Sequence, residues 1–239
     1  MSSGGGGSPD SVQNPGRHYG SVCTRYTFIP QQIRHNPIPA NIRLPDDPRP
    51  RYNIAPQQFA WVVRWLNGDP VCEKMQWGYA PGWLDPALAQ VNLRAESVFG
   101  TLMFDGSARH SRCIVLASGW YEWPDQGHGS NPRYYHRSDG GLLGVAGLWT
   151  RNHATRLDTF AIIATAVNPT STFIHNRTPV VLREEHYGLW LNTAVSGANF
   201  LAEALTEHEP ADLAYHRVGP HIDDAAHDSE KCIERVPEA

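Results

Sequence analysis

The sequence predicts an α+β fold in which antiparallel or mixed β-sheets dominate and the helices come late in the chain. Short β-branched and aromatic runs recur between loops rich in Pro, Gly, Asp and Asn, which is typical of such sheets. The 239 residues are 41% hydrophobic and include 8 Trp, enough apolar material for a large core. Helical patterns stand out only near the end of the chain, and no internal repeat is visible.

The chain is expected to consist of a flexible leader followed by one folded unit. Residues 1–20 form a leader rich in Gly, Ser and Pro, a composition typical of flexible segments that bury nothing. The folded unit is expected to be a single domain over residues 21–239. An Asn67-Gly68 turn predicts a hairpin. Two helices are predicted at Glu184–Leu191 and Ala198–Leu205. Strands are predicted at Thr24–Ile29, Gln58–Leu66, Val71–Trp77, Cys113–Ala117, Trp120–Trp123, Tyr134–His136, Leu142–Trp149 and Phe160–Ala166.

The distribution of charge bears on possible partners. The net charge of -4 argues at first against nucleic acid. Residues 207–239 hold nine acidic and three basic side chains, so the remaining chain carries a small positive excess. Only Lys74 and Lys231 are lysines, and arginine suits bidentate phosphate contacts and stacking on bases. Genomic base composition explains an arginine bias equally well, so composition alone leaves both interpretations open.

Other features limit the functional class. No apolar run approaches the length of a membrane span, and no secretory signal is visible, so a soluble cytoplasmic protein is expected. None of the four cysteines, Cys23, Cys72, Cys113 and Cys232, belongs to a C-x-x-C pair. The sequence therefore predicts no metal site and no cofactor. We also expect a monomer.

Two side chains invite a chemical interpretation. Glu122 lies among Trp120, Tyr121 and Trp123 on a predicted strand. A carboxylate buried there would suit proton transfer, whereas strand alternation equally allows Glu122 to face solvent. His175 is one of 12 histidines, most of which must be structural, so its position alone does not assign it a catalytic role.

Five ordered motifs together resemble the SRAP family, the SOS-response-associated peptidase or abasic-site processing proteins, over nearly all of residues 23–190. The resemblance implies a barrel-like fold with a few peripheral helices. The motifs are Arg51–Pro56, Trp77–Trp83, Asn92-x-Arg94-x-Glu96, Arg112–Ala117 followed by Gly119–Trp123, and Ile174-His175-x-Arg177-x-Pro179.

The resemblance implies a specific chemistry in the DNA damage response. A family member begins with cysteine, whose α-amine condenses with the aldehyde of an abasic site in single-stranded DNA, and whose thiol then closes a thiazolidine. A free α-amine has a pKa of roughly 7.7–8.0, so it is partly unprotonated at neutral pH. The implied catalytic residues are Cys23, Asn92, Glu122 and His175. The implied DNA contacts are Arg25, Pro56, Trp83, Leu84, Arg94, Thr165 and Arg177, and the protein would join the nucleoid when bound.

Departures from the family pattern leave alternatives open. Thr24, Asn176, Thr178 and Leu84 replace residues usual in the family, and the threonine of the strand before the histidine, Thr165, is shifted by one position. With the leader attached, the nitrogen of Cys23 is an amide, so the functional chain is expected to begin at Cys23, through initiation at a GTG codon for Val22 or through self-cleavage. The alternatives are a thiol-dependent (auto)peptidase using Cys23, His175 and an asparagine, and a non-covalent single-strand-binding module.

Overall fold

The computed structural model describes residues 23–30, 48–123, 132–167, 176–206 and 213–237. The predicted leader, His175 and most of the loop Pro124–Pro132 lie outside these ranges. Within them the helices are α1 (Leu102–His110), α2 (Tyr187–Leu191) and α3 (Ala198–Thr206). The strands are β1 (Tyr26–Phe28), β2 (Arg51–Ile54), β3 (Phe59–Leu66), β4 (Asp69–Trp77), β5 (Asn92–Arg94), β6 (Arg112–Ala117), β7 (Gly119–Glu122), β8 (Arg133–Arg137), β9 (Leu143–Asn152), β10 (Leu157–Ala166), β11 (Arg177–Pro179) and β12 (Leu213–Arg217).

Two sheets carry the fold, and the predicted α+β class is confirmed. The smaller has five strands in the order β12-β8-β7-β1-β2, all antiparallel. The larger has seven strands, with β11-β10-β4-β3-β6-β9 in order and β5 paired to β10. Strand β9 also pairs with β10, so the sheet curls into a barrel-like shape, although β4 and β10 share only two residue pairs.

The strands expected from the sequence are present, with shifted ends. The expected strand at Thr24–Ile29 is shorter, because only Tyr26–Phe28 pair with neighbours. Both residues of the Asn67-Gly68 turn have positive φ, 52° and 96°, as a two-residue hairpin requires. The helix expected at Glu184–Leu191 is α-helical only from Tyr187, after a 3₁₀ turn. Helix α1 and strands β2, β5, β11 and β12 were not predicted.

The main hydrophobic core packs against the larger sheet. Trp77 contacts the ring of Tyr26 edge-on at 5.1 Å and stacks with Phe160 at 6.4 Å. A second apolar cluster lies between the smaller sheet and the C-terminal segment, which we define as Val218–Val236. It includes Tyr52, Tyr121, Tyr134, Val218, Ile222 and Cys232. The acidic end of the chain is therefore packed onto the domain over these residues. None of the helices in the described ranges is long and apolar enough to cross a membrane.

Arg112 joins the helices to the larger sheet. Its side chain is 1% exposed, and its guanidinium donates to the carbonyl oxygens of Ala108, Arg109, Trp190, Asn192 and Val195. These carbonyls lie at or just beyond the C-terminal ends of α1 and α2, where they lack partners within the helix and where a cation is favoured. Burial lowers the pKa of Arg112 to about 10, so it remains charged at neutral pH.

We expect Gly119→Ala to destabilise the fold by about 3 kcal/mol, because overpacking of this kind is costly. A Cβ at Gly119 would lie 2.3 Å from the carbonyl oxygen of Tyr135 and 2.6 Å from the ring of Tyr134. Gly106 in α1 is a matched control, because a Cβ there meets nothing within 4 Å. Gly106→Ala should stabilise by about 0.5–1 kcal/mol. Urea unfolding measures both, and equal stability of the two variants would contradict this packing.

Candidate functional site

Cys23 lies at the seam between the two sheets. It precedes β1 in the smaller sheet and is 2% exposed. The Nδ2 of Asn92 donates to its carbonyl oxygen at 3.4 Å. Asn92 begins β5 and pairs with Ile162 of β10 in the larger sheet. A hydrogen bond between the sheets therefore helps to fix the backbone of Cys23. The φ angle of Cys23 is 45°, in the left-handed region that side chains seldom adopt.

Glu122 reaches Cys23 from the neighbouring strand. Tyr26 pairs with Trp120, and the amide of Tyr121 donates to the carbonyl oxygen of Arg25 at 3.1 Å. This register places Glu122, the last residue of β7, alongside the start of the described chain. Its side chain is 3% exposed, so the alternative in which Glu122 faces solvent is wrong.

The electrostatic environment keeps the thiol of Cys23 neutral. Burial, and secondly the negative charge of Glu122, raise the pKa of Cys23 well above its usual value. Low-pKa cysteines are stabilised as thiolates by cations, helix N-termini or a histidine partner. The surroundings of Cys23 have the opposite effect, so its sulfur is protonated at neutral pH.

The predicted DNA contacts differ in accessibility. Trp83 is 69% exposed, and Arg94 is also exposed, with no hydrogen bond or ion pair from its guanidinium among the described residues. Pro56, Leu84 and Thr165 are half-buried. Arg177 is already engaged, because its Nη1 lies 3.1 Å from the carboxylate of Glu96 and 3.3 Å from the carbonyl oxygen of Ala164.

Arg25 is half-buried beside the site. Its Nη1 donates to the carbonyl oxygen of Thr24 at 2.9 Å, and within the described ranges its buried Nε has no hydrogen-bond partner. Burial lowers the pKa of Arg25, and the charges of Asp223 and Asp224 oppose that effect. The position of these two carboxylates near the site was not predicted, because they lie far along the chain from Arg25, in the acidic stretch of residues 207–239.

The structure thus brings Cys23, Asn92 and Glu122 together and places Arg25 next to them, whereas His175 lies outside the described residues. Across those same ranges, no group of three or more His, Cys, Asp or Glu side chains is placed to hold a metal ion. The site as described consists of a buried cysteine, an amide and a carboxylate, with the half-buried Arg25 beside them.

Residues 22–225 match the family model described as SOS response associated peptidase, SRAP. This chain belongs to the SRAP family. The resemblance drawn from the five motifs is therefore confirmed, and it extends further toward the C-terminus than those motifs reach.

Proteins similar to this chain include relatives by sequence and a solved structure with the same fold. The abasic site processing protein YedK of Escherichia coli is 30% identical over 203 residues, covering 81% of this chain and 89% of YedK. The abasic site processing protein HMCES of Gallus gallus is 26% identical, covering 77% of this chain and 66% of that protein. A crystal structure of a phage-related protein from Bordetella bronchiseptica shares the fold, with a TM-score of 0.70 and 23% identity, covering 87% of this chain and all of that one.

We expect no thiol of the native chain to react rapidly with iodoacetamide at neutral pH, because alkylation requires the thiolate. Burial raises the pKa of Cys23, Cys113 and Cys232, and raises that of Cys72 to about 12. Mass spectrometry of the alkylated protein measures the result, and the protein in urea is the control in which all four should react. Rapid, selective labelling of Cys23 in the native protein would contradict the conclusion that its thiol is neutral.

Proposed function

We propose that this protein recognises abasic sites in single-stranded DNA and cross-links itself to them through Cys23. The observation that carries the proposal is the placement of Cys23 between Glu122 and Asn92, with its thiol held neutral. The names of the relatives support it, because YedK and HMCES are both called abasic site processing proteins. The product would be a covalent DNA–protein cross-link, as part of the response to DNA damage.

The chemistry requires a free α-amine and a nearby thiol on one residue. The amine nitrogen adds to the aldehyde carbon of the ring-opened sugar, and the resulting carbinolamine loses water to give an imine. The sulfur then adds to the same carbon while its proton passes to the nitrogen, which closes a five-membered thiazolidine. One water is released overall, and no oxidant or reductant is needed. Closure is fast because both nucleophiles belong to one residue.

The surrounding side chains have separate tasks in this scheme. Glu122 accepts a proton from the α-ammonium group and returns it to the departing oxygen, as a positioned general base and acid. Asn92 holds the Cys23 carbonyl so that the amine and thiol face the sugar. His175 assists the opening of the sugar ring. Arg94, whose guanidinium is exposed, contacts a phosphate, and Trp83 offers a surface on which a base can stack.

The form of the chain that reacts begins at Cys23 in this proposal. An amide nitrogen at Cys23 cannot form an imine, so residues 1–22 must be absent from the reactive protein. The left-handed backbone of Cys23 is then no obstacle, because φ ceases to be defined once the preceding residue is gone. The mass of the adduct reports directly on this point, since only the shortened chain gives a thiazolidine.

A thiol-dependent peptidase is the less favoured function for the same site. Cysteine peptidases attack with a thiolate that an adjacent base stabilises. At Cys23, burial and the charge of Glu122 both disfavour the thiolate. The amide of Asn92 donates to the Cys23 carbonyl, which is a different task from orienting a catalytic histidine.

We expect Cys23→Ala, in a chain beginning at residue 23, to abolish the covalent adduct with a single-stranded oligonucleotide carrying one abasic site. Glu122→Gln should slow adduct formation by about 100-fold or more, in the range typical of general acid–base groups. Cys72→Ala is the matched control and should react like the parent chain. Denaturing electrophoresis gives the rates, and intact mass should equal protein plus DNA minus one water.

Two results would contradict the proposal. An undiminished adduct in Cys23→Ala would assign the chemistry to another nucleophile. An unchanged rate in a folded Glu122→Gln variant would remove the carboxylate from the mechanism.

We expect Arg94→Ala to weaken non-covalent binding of single-stranded DNA and to flatten its salt dependence. One lost phosphate contact should reduce the slope of log K against log salt by roughly 0.7. Arg183→Ala is the control, because Arg183 is exposed and lies 3.7 Å from Glu185. Fluorescence anisotropy over a salt series measures both variants, and the same slope in Arg94→Ala as in the parent chain would exclude this phosphate contact.

A further inference from the structure

The C-terminal segment is firmly attached beside the candidate site. The buried Asn53 of β2 donates through Nδ2 to the carbonyl oxygens of Ile222, Asp224 and His227, at 3.2, 2.9 and 3.0 Å. Asp228 accepts from the backbone amide of Asn53 at 3.1 Å and pairs with Arg51. These bonds fix the segment against β2, which is the neighbour of β1.

Two carboxylates of this segment are thereby held near Arg25. Asp223 accepts a hydrogen bond from Trp123 Nε1 at 2.9 Å, and Trp123 directly follows Glu122. The Oδ1 of Asp224 accepts from the amide of Ala226 at 2.9 Å, which fixes its side chain in a turn. Both aspartates are exposed, so their charges face the solvent from which DNA approaches.

Arg25 and Arg94 therefore present different electrostatic surroundings to DNA. The charges of Asp223 and Asp224 act directly on Arg25. Arg94 makes no ion pair among the described residues. Arg25 is half-buried, so the exposed part of its guanidinium can contact a phosphate. The next phosphate beyond Arg25 would face two carboxylates, and like charges at close range repel.

We propose that Asp223 and Asp224 form an acidic edge that ends the DNA path at Arg25, so that the protein binds the strand on one side of the lesion and repels it on the other. This inference rests on the proposed function, because it concerns the same strand. The acidic edge also limits affinity for undamaged DNA, which leaves retention on DNA to the covalent step. A site flanked by arginines alone would hold any single strand by its phosphates.

The test measures non-covalent binding to oligonucleotides that contain one tetrahydrofuran, an abasic analogue without an aldehyde. One series is extended stepwise only upstream of the analogue and another only downstream. For the parent chain, one series should gain affinity with length and the other should not. In the double variant Asp223→Asn/Asp224→Asn, both series should gain affinity with length. The longest strands should bind about tenfold more tightly than to the parent chain at low salt. Raising the salt should shrink the difference, because screening weakens the repulsion.

Asparagine keeps an acceptor oxygen for Trp123 and Ala226, so the turn should survive the substitutions. The control is Glu185→Gln/Glu203→Gln, which removes the same amount of charge from exposed positions. If both double variants bind DNA more tightly, the gain comes from net charge alone, and the proposal of an acidic edge is wrong. Equal gains on both sides in the parent chain would also overturn it, while cross-linking through Cys23 could still occur. Loss of cross-linking and of all DNA binding in the parent chain would remove the proposed function and this inference together.

Discussion

The register between β1 and β7 is the constraint on which the candidate site depends. Tyr26 pairs with Trp120, and this single alignment brings Glu122 to Cys23. A slip of one residue would turn every side chain of β7 to the opposite face and remove the carboxylate from the cysteine. Gly119 secures the alignment, because only a residue without Cβ allows the backbone and ring of β8 to approach so closely.

The site also depends on how the two sheets meet. Cys23 precedes β1 and Glu122 ends β7, both strands of the smaller sheet, whereas Asn92 belongs to the larger sheet. Its hydrogen bond to the Cys23 carbonyl crosses the seam. Burial at this position keeps the thiol neutral, and the hydrogen bond from Asn92 holds the backbone of Cys23 in place. In the proposed function, Arg25 and Arg94 position the DNA strand without entering the buried region.

The sequence predicted much of this arrangement, and the failures have physical causes. Central strands such as β3, β6 and β10 are long and apolar, so their residue patterns predicted them as strands. Strands β2, β5 and β11 have three or four residues each, too few to show a period. Alternation could not orient Glu122, because Trp120 stacks on Tyr135 while Tyr121 contacts Tyr134 and Tyr52, so both faces of β7 are covered. The packing of the acidic C-terminal segment against β2 was not predicted, because Asn53 binds backbone carbonyls, which carry no sequence signal.

The attachment of the C-terminal segment has a consequence for the order in which the molecule matures. Strand β2 is held by Asp228 and by carbonyls of residues 222–227, which lie 169 to 175 residues further along the chain. The smaller sheet therefore acquires this support only after the chain has been synthesised past these residues. Until then β2, and through it β1, lacks the bonds that hold it in the completed fold. An enzyme that trimmed the N-terminus would reach Cys23 more easily in that interval than after the completed fold has buried it.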